Sequence, residues 1–157
     1  MSSLESQIVA HPFFDGLEAT QVTSVIKHAT ITRVAARGFI FREGGDADKF
    51  YLIRRGKVVL TVFEPWKGSI AIQTLGAGEA LGWSWLFPPY QWHFDARAVE
   101  DTEVIVFDAA RLRTKLDDNP EIGYELLKRI ARIMTERLQA SRIQLLNIYD
   151  TSSRRVI

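Results

Sequence analysis

The chain has 157 residues and no cysteine, and its 20 basic and 19 acidic side chains leave a net charge of +1. That length suits one domain with an appended element, and the missing thiols exclude disulfides, thiolate metal sites and cysteine nucleophiles. The near-balance of charge gives no global field for a polyanion, so nucleic-acid binding would need a local patch.

The start, Met-Ser-Ser-Leu-Glu-Ser, lacks a basic region followed by an apolar run, and no segment approaches the ~20 apolar residues that span a bilayer. A cytoplasmic location and no membrane contact are therefore expected. Residues 1–29 read as a helical segment. Leu4, Ile8 and Val9 make one apolar edge, His11-Pro12 breaks it, and Phe13, Phe14 and Leu17 turn inward. A second helix opens at Glu18 or Thr20 and repeats Val22, Val25, Ile26 and Ala29, with His28 in its last turn on the favourable end of the helix dipole.

From Thr30 the period changes. Ile31 and Val34, Phe39 to Phe41, Phe50 to Ile53, Val58 to Phe63, Ser69 to Leu75, Trp92 to Val99 and Glu103 to Phe107 are short apolar runs separated by turn residues. The turns are marked by Arg37-Gly38, Gly44-Gly45, Arg55-Gly56, Pro65-Trp66-Lys67-Gly68 and Gly76-Ala77-Gly78. This spacing predicts a small antiparallel barrel or roll over residues 30–118, an α+β chain once the helices are included. Gly82 to Phe87 predicts a single helical turn that Pro88 stops.

Ala109 to Leu116 reads as a short helix, and Asn119-Pro120 is a strong start signal for a long one covering residues 119–150. One stripe on it, Ile122, Leu126, Ile130 and Ile133, is suited to pack on the barrel. A second consists of Tyr124, Leu127, Ala131, Met134, Leu138, Ser141, Leu145 and Ile148, spaced alternately three and four apart. That heptad run predicts pairing with another copy of the chain, because nothing in a barrel of this size reaches residues beyond Leu138. Thr151 to Ile157 is expected to be a frayed tail.

No catalytic constellation is present. Gly76-Ala77-Gly78 followed by Gly82 has the spacing of neither a dinucleotide fingerprint nor a Walker loop, and His11, His28 and His93 lack metal-ligand spacing. No Gly-x-Ser-x-Gly elbow occurs. An enzyme is not expected.

Order and wording together resemble the cyclic-nucleotide-binding domain of the catabolite activator and Fnr family of bacterial regulators. The resemblance rests on Gly38-Phe39-Ile40-Phe41-Arg42-Glu43-Gly44, on Phe50 to Val58, on Leu75 to Gly78 and on Arg97 to Val104, and it is collinear over nearly the whole chain. It implies an eight-stranded, jelly-roll-like β-roll followed by a short helix and a long dimerisation helix. The chain ends about one turn after that helix, where relatives carry a winged helix-turn-helix, so direct sequence-specific DNA binding is not expected.

In the family, a glycine and a glutamate open a helical turn, and an arginine further on pairs with the cyclic phosphate. Gly82 keeps the glycine position, whereas Trp83 stands at the glutamate and Trp92 at the arginine. Losing one partner of a buried charge pair costs about 2–5 kcal/mol, which corresponds to a weakening of at least ~30-fold for a cyclic nucleotide.

Three of the four tryptophans, Trp83, Trp85 and Trp92, fall within ten residues of one another. Two readings follow. Gly82, Trp83, Ser84, Trp85, Trp92, His93 and Phe94, with Arg137 from the long helix as a substitute cation, could line an aromatic pocket for a planar or apolar ligand. Alternatively the indoles fill the pocket, and the domain serves structure or protein interaction. In the first reading the module signals through a homodimer to a separate, unidentified protein. The cofactor stays unknown: haem, which superfamily relatives bind, would have only His93 near the pocket as an axial ligand. Strand alternation turns His93 outward, with Asp95 in reach of it.

Overall fold

The computed structural model describes residues 3–155. Helix α1 (Ser3–Val9) leads to a 3-10 turn at Pro12–Phe14 and to α2 (Ala19–Ile26). Seven strands follow: β1 (Thr30–Val34), β2 (Phe39–Phe41), β3 (Lys49–Arg55), β4 (Lys57–Glu64), β5 (Gly68–Gly76), β6 (Asp95–Ala98) and β7 (Thr102–Asp108). A 3-10 turn at Ser84–Leu86 lies between β5 and β6, and α3 (Ala109–Asp118) and α4 (Pro120–Arg155) complete the chain.

The strands form two antiparallel sheets, in the orders β1-β7-β3 and β2-β6-β4-β5. Leu52, Ile53, Val104 and Ile105 from the first sheet and Phe41, Val58, Leu60 and Ala96 from the second share one buried core. The helices close that core with Ile8, Val22 and Ile26 and with the predicted inner stripe Ile122, Leu126 and Ile130, while Ile133 is half-buried against it. Glycine is required between β3 and β4. Gly56 has φ +101°, and a Cβ there would lie 2.7 Å from the Thr102 Cα and 2.8 Å from the Asp101 carbonyl.

Polar side chains fix the helices to the barrel. Glu18 donates its N–H to Gln21 Oε1 at 3.2 Å, the return arm of a capping box at the start of α2. His11 is buried. Its Nε2 donates to the Ile53 carbonyl at 2.7 Å while Nδ1 accepts the Phe13 N–H at 3.1 Å, which assigns the neutral ring one tautomer. Burial holds its pKa below the ordinary histidine value, against the opposing effects of the Ile53 bond and Asp15. Arg129 of α4 donates to the carbonyls of Phe13, at 2.7 Å, and Asp15. Asp108 caps α3 by accepting the Arg111 N–H at 2.9 Å, and that bond lowers its carboxyl pKa. Gly123 lets α4 lie against the end of α3, since a Cβ would sit 2.8 Å from the Leu116 carbonyl.

Several expectations are corrected. The strand expected over Trp92 to Val99 is confined to Asp95–Ala98, because the Trp92 backbone pairs with the Gly44-Gly45 turn instead of a ladder. Where the resemblance implied eight strands, the described residues form seven, with isolated bridges from Asp46 to Gln91 and from Leu52 to Ala80. His28 lies just past α2, not in its last turn. The long helix continues to Arg155 through most of the expected frayed tail, with neither glycine nor proline after Gly123 to stop it; Val156 and Ile157 lie outside the described residues. No helix among the described residues is long and apolar enough to cross a membrane.

Candidate functional site

The segment from Gly78 to Leu81 runs beside β3. Gly78 donates to the Ile53 carbonyl at 2.9 Å, and Leu81 to the Tyr51 carbonyl at 3.1 Å. This pairing delivers Gly82 and Trp83 to the edge of the core, where the Leu86 N–H closes the short turn on the Trp83 carbonyl at 3.0 Å.

Trp92 occupies the inside. Its ring lies 3.8 Å from that of Phe41 at an interplanar angle of 9°, with Tyr51 at 6.3 Å, and only 3 % of the residue is exposed. The backbone fixes it there: the Trp92 N–H donates to the Gly45 carbonyl at 2.9 Å and its carbonyl accepts from Gly44 at 2.8 Å. Gly82 is the floor beneath this indole, because a Cβ would come within 3.0 Å of Trp92 Cζ3 and 3.7 Å of the Phe94 ring. Here glycine supplies close approach rather than a special φ.

Arg137 meets the same segment from α4. Its guanidinium donates to the Leu81 carbonyl at 3.3 Å and to the Ala80 carbonyl, and lies 5.2 Å from the centre of the Trp83 ring. The residue is 9 % exposed, and burial lowers its pKa to about 10 despite the opposing charges of Glu79 and Glu136. The cation that the sequence offered to a ligand is thus committed to two backbone carbonyls. A small cleft of about 150 Å³ remains between Gln73, Glu79, Glu136 and Arg137.

Of the residues grouped from sequence, Gly82, Trp83, Trp92, Phe94 and Arg137 gather in this region. Ser84 is buried in the turn. Trp85 is also buried, but packs 4.7 Å from Phe50, which in turn meets Phe13 and Phe107, and its Nε1 has no hydrogen-bond partner among the described residues. His93 is exposed. Asp95 does not serve it: that carboxylate accepts the Glu43 N–H at 2.7 Å and pairs with Arg42 at 3.5 Å. Among the described residues, no group of three or more histidine, cysteine, aspartate or glutamate side chains is placed to hold a metal ion.

The second stripe of α4 is mostly uncovered. Tyr124, Leu127, Leu138, Leu145 and Ile148 are exposed, Leu138 by 71 %, and Ala131 and Ser141 lie on the same open surface. Met134 departs from it, being half-buried against the core. Ile143 and Leu146 are exposed as well, outside the heptad stripe.

Sequence reasoning missed the pins. His11, Arg129 and Arg113, whose Nη1 donates to the Trp85 carbonyl at 2.5 Å, read in sequence as ordinary polar residues of helices and turns. The long-range partner of each is a backbone carbonyl, which carries no sequence signal.

Comparison with known proteins agrees with this architecture. The sequence profile of the family described as the cyclic nucleotide-binding domain matches residues 31–119. A CRP-like cAMP-activated global transcriptional regulator of Mycobacterium tuberculosis is 25 % identical over 119 residues, covering 76 % of this chain and 53 % of the relative. The chain therefore spans about half the length of the curated relatives it matches. Among solved structures, a cyclic nucleotide-binding domain from Methylobacillus flagellatus aligns with a TM-score of 0.80 at 21 % identity, over 91 % of this chain and 83 % of that one. The catabolite activator protein of Thermus thermophilus aligns with a TM-score of 0.70 at 24 % identity, over 88 % and 63 %. These structures share the fold, and with more than half its length matched by the family profile, the chain belongs to the cyclic nucleotide-binding domain family.

Proposed function

We propose that this chain is a non-enzymatic regulatory module of its family in which the nucleotide seat is filled by the protein itself. The observation that carries this reading is the stack of Trp92 on Phe41, sealed below by Gly82. Of the two readings of the tryptophans, the packing favours the self-filled one. A cyclic nucleotide entering there would have to displace a nearly buried indole and would find no arginine at its phosphate. Arg137 is anchored by the Ala80 and Leu81 carbonyls, and turning it away toward a ligand would leave these buried acceptors unpaired at about 1–3 kcal/mol each.

The output of such a module is the long helix. Arg137 ties the Ala80–Trp83 segment to α4, and the exposed stripe from Tyr124 to Ile148 suits a homodimer in which two copies of α4 pair. The paired helices would then present their distal ends to a separate protein in the cytoplasm.

Light scattering at micromolar concentration tests the pairing. The wild-type chain is expected at twice its monomer mass and Leu138→Glu at the monomer mass, while cAMP leaves both the mass and the melting temperature of the wild type unchanged. A monomeric wild type would remove the seam, and a rise in melting temperature with cAMP would remove the filled seat.

A further inference from the structure

A cavity of about 510 Å³ opens between the Ser84–Leu86 turn, α3 and the first turns of α4. That volume lies in the range of roughly 300–1,000 Å³ typical of small-molecule sites. Its apolar surface comes from Leu86, Leu116 and Leu127, and two rings, Tyr90 and Tyr124, stand on its walls.

Arg113 supplies the charge. It is half-buried, its guanidinium carbon lies 4.0 Å from the centre of the Tyr90 ring, and its Nη1 bond to the Trp85 carbonyl fixes the plane. A guanidinium carries five N–H donors, so this one hydrogen bond leaves most of them unused. No carboxylate among the described residues pairs with Arg113. Tyr90 is equally fixed. It holds the left-handed φ of +55°, donates its N–H to the Phe87 carbonyl at 2.9 Å, and accepts the Ala47 N–H at 2.7 Å. Arg113 thus makes one hydrogen bond to a protein carbonyl where Arg137 makes two, and its guanidinium stands beside an apolar cavity.

We propose that this cavity binds a small planar aromatic monocarboxylate. Its ring would lie on the leucines and tyrosines, and its carboxylate would accept from the unused N–H groups of Arg113. Asp117, exposed on the rim, disfavours a second negative charge. One chain provides every wall, so the site requires neither the pairing of two copies nor the filled seat. Tyr124 and Leu127 also belong to the pairing stripe, which places an occupant at the edge of that surface.

Calorimetry with 2-naphthoate as the probe tests the site, with circular dichroism melts reporting the fold of each variant. Saturable binding to the wild type is expected, weakened at least about tenfold when the probe is the neutral 2-naphthamide or the protein is Arg113→Met. Leu127→Trp, at an exposed position where the larger ring fills the cavity, should abolish binding. Leu138→Glu, whose side chain lies outside the cavity, should keep saturable binding of the probe whatever it does to the mass, which separates this proposal from the pairing. Absence of saturable binding to the wild type at millimolar probe, or equal affinity for the naphthoate and the naphthamide, would overturn the proposal. The second criterion needs no variant.

Discussion

The Trp92 seat and the distal half of α4 are both rich in large apolar side chains, and they treat them oppositely. At the seat, Trp92 meets Phe41, Tyr51 and Gly82, and its backbone is bonded on both sides to one turn. Beyond Arg137, Leu138, Ile143, Leu145, Leu146 and Ile148 are all exposed. Apolar area removed from water stabilises a fold by about 25 cal/mol per Å², so the first region already has its stabilisation and the second has it still to gain. On the reading proposed above, the family's ligand seat has become a piece of core, and the uncovered apolar surface lies along the long helix.

Substitutions can break that comparison. The largest effect is expected from Trp92→Ala, which should cost roughly 3–5 kcal/mol in denaturant unfolding, as for other buried aromatics. A loss below about 1 kcal/mol would mean that the indole is loosely held and the seat can open. Gly82→Ala should cost about 1–3 kcal/mol through overpacking, because the new methyl meets the six-membered ring of Trp92 at 3.0 Å. Leu145→Gln, at an exposed site, should change barrel stability by no more than about 0.5 kcal/mol.

Acid sharpens the same contrast. The folded state holds His11 below its ordinary pKa of 6.5, so the unfolded chain binds that proton more readily. The stabilisation from neutral His11 is complete above 6.5 and is lost as pH falls from 6.5 through the folded value, where protonated Nδ1 can no longer accept the Phe13 N–H. Denaturant melts of the wild type and of His11→Gln should diverge less at pH 5 than at pH 7.5. An equal gap at both would place the stability of this segment elsewhere, for example with Arg129. Glu103 acts in a lower window. Burial raises its carboxyl, but Arg54, Arg55 and Arg33 more than reverse this and hold it below 4.5, so its contribution is lost only at more acid pH.

Much of the fold was legible because it rests on periodicity. The barrel turns at Gly44-Gly45 and Arg55-Gly56, the Asn119-Pro120 start of α4 and its inner stripe each follow from local chemistry that the three-dimensional structure keeps. The shortened strand at Trp92 was not legible, since the residues from Trp92 to Phe94 alternate like a ladder and only the pairing of Trp92 with Gly45 removes them from it. At the site, the gathering of Gly82 with Trp92, and of Trp83 with Arg137, followed the grouping made from sequence. The direction each ring takes could not. Trp85 and Trp92 are similar neighbours in composition, yet one joins Phe50 and the other Phe41, a choice made by strands far away in sequence.

The central claim is that Trp92 closes the nucleotide seat, and titration calorimetry with cAMP against the wild-type chain tests it most directly. The account predicts no saturable heat up to millimolar nucleotide; binding at micromolar concentration would contradict it.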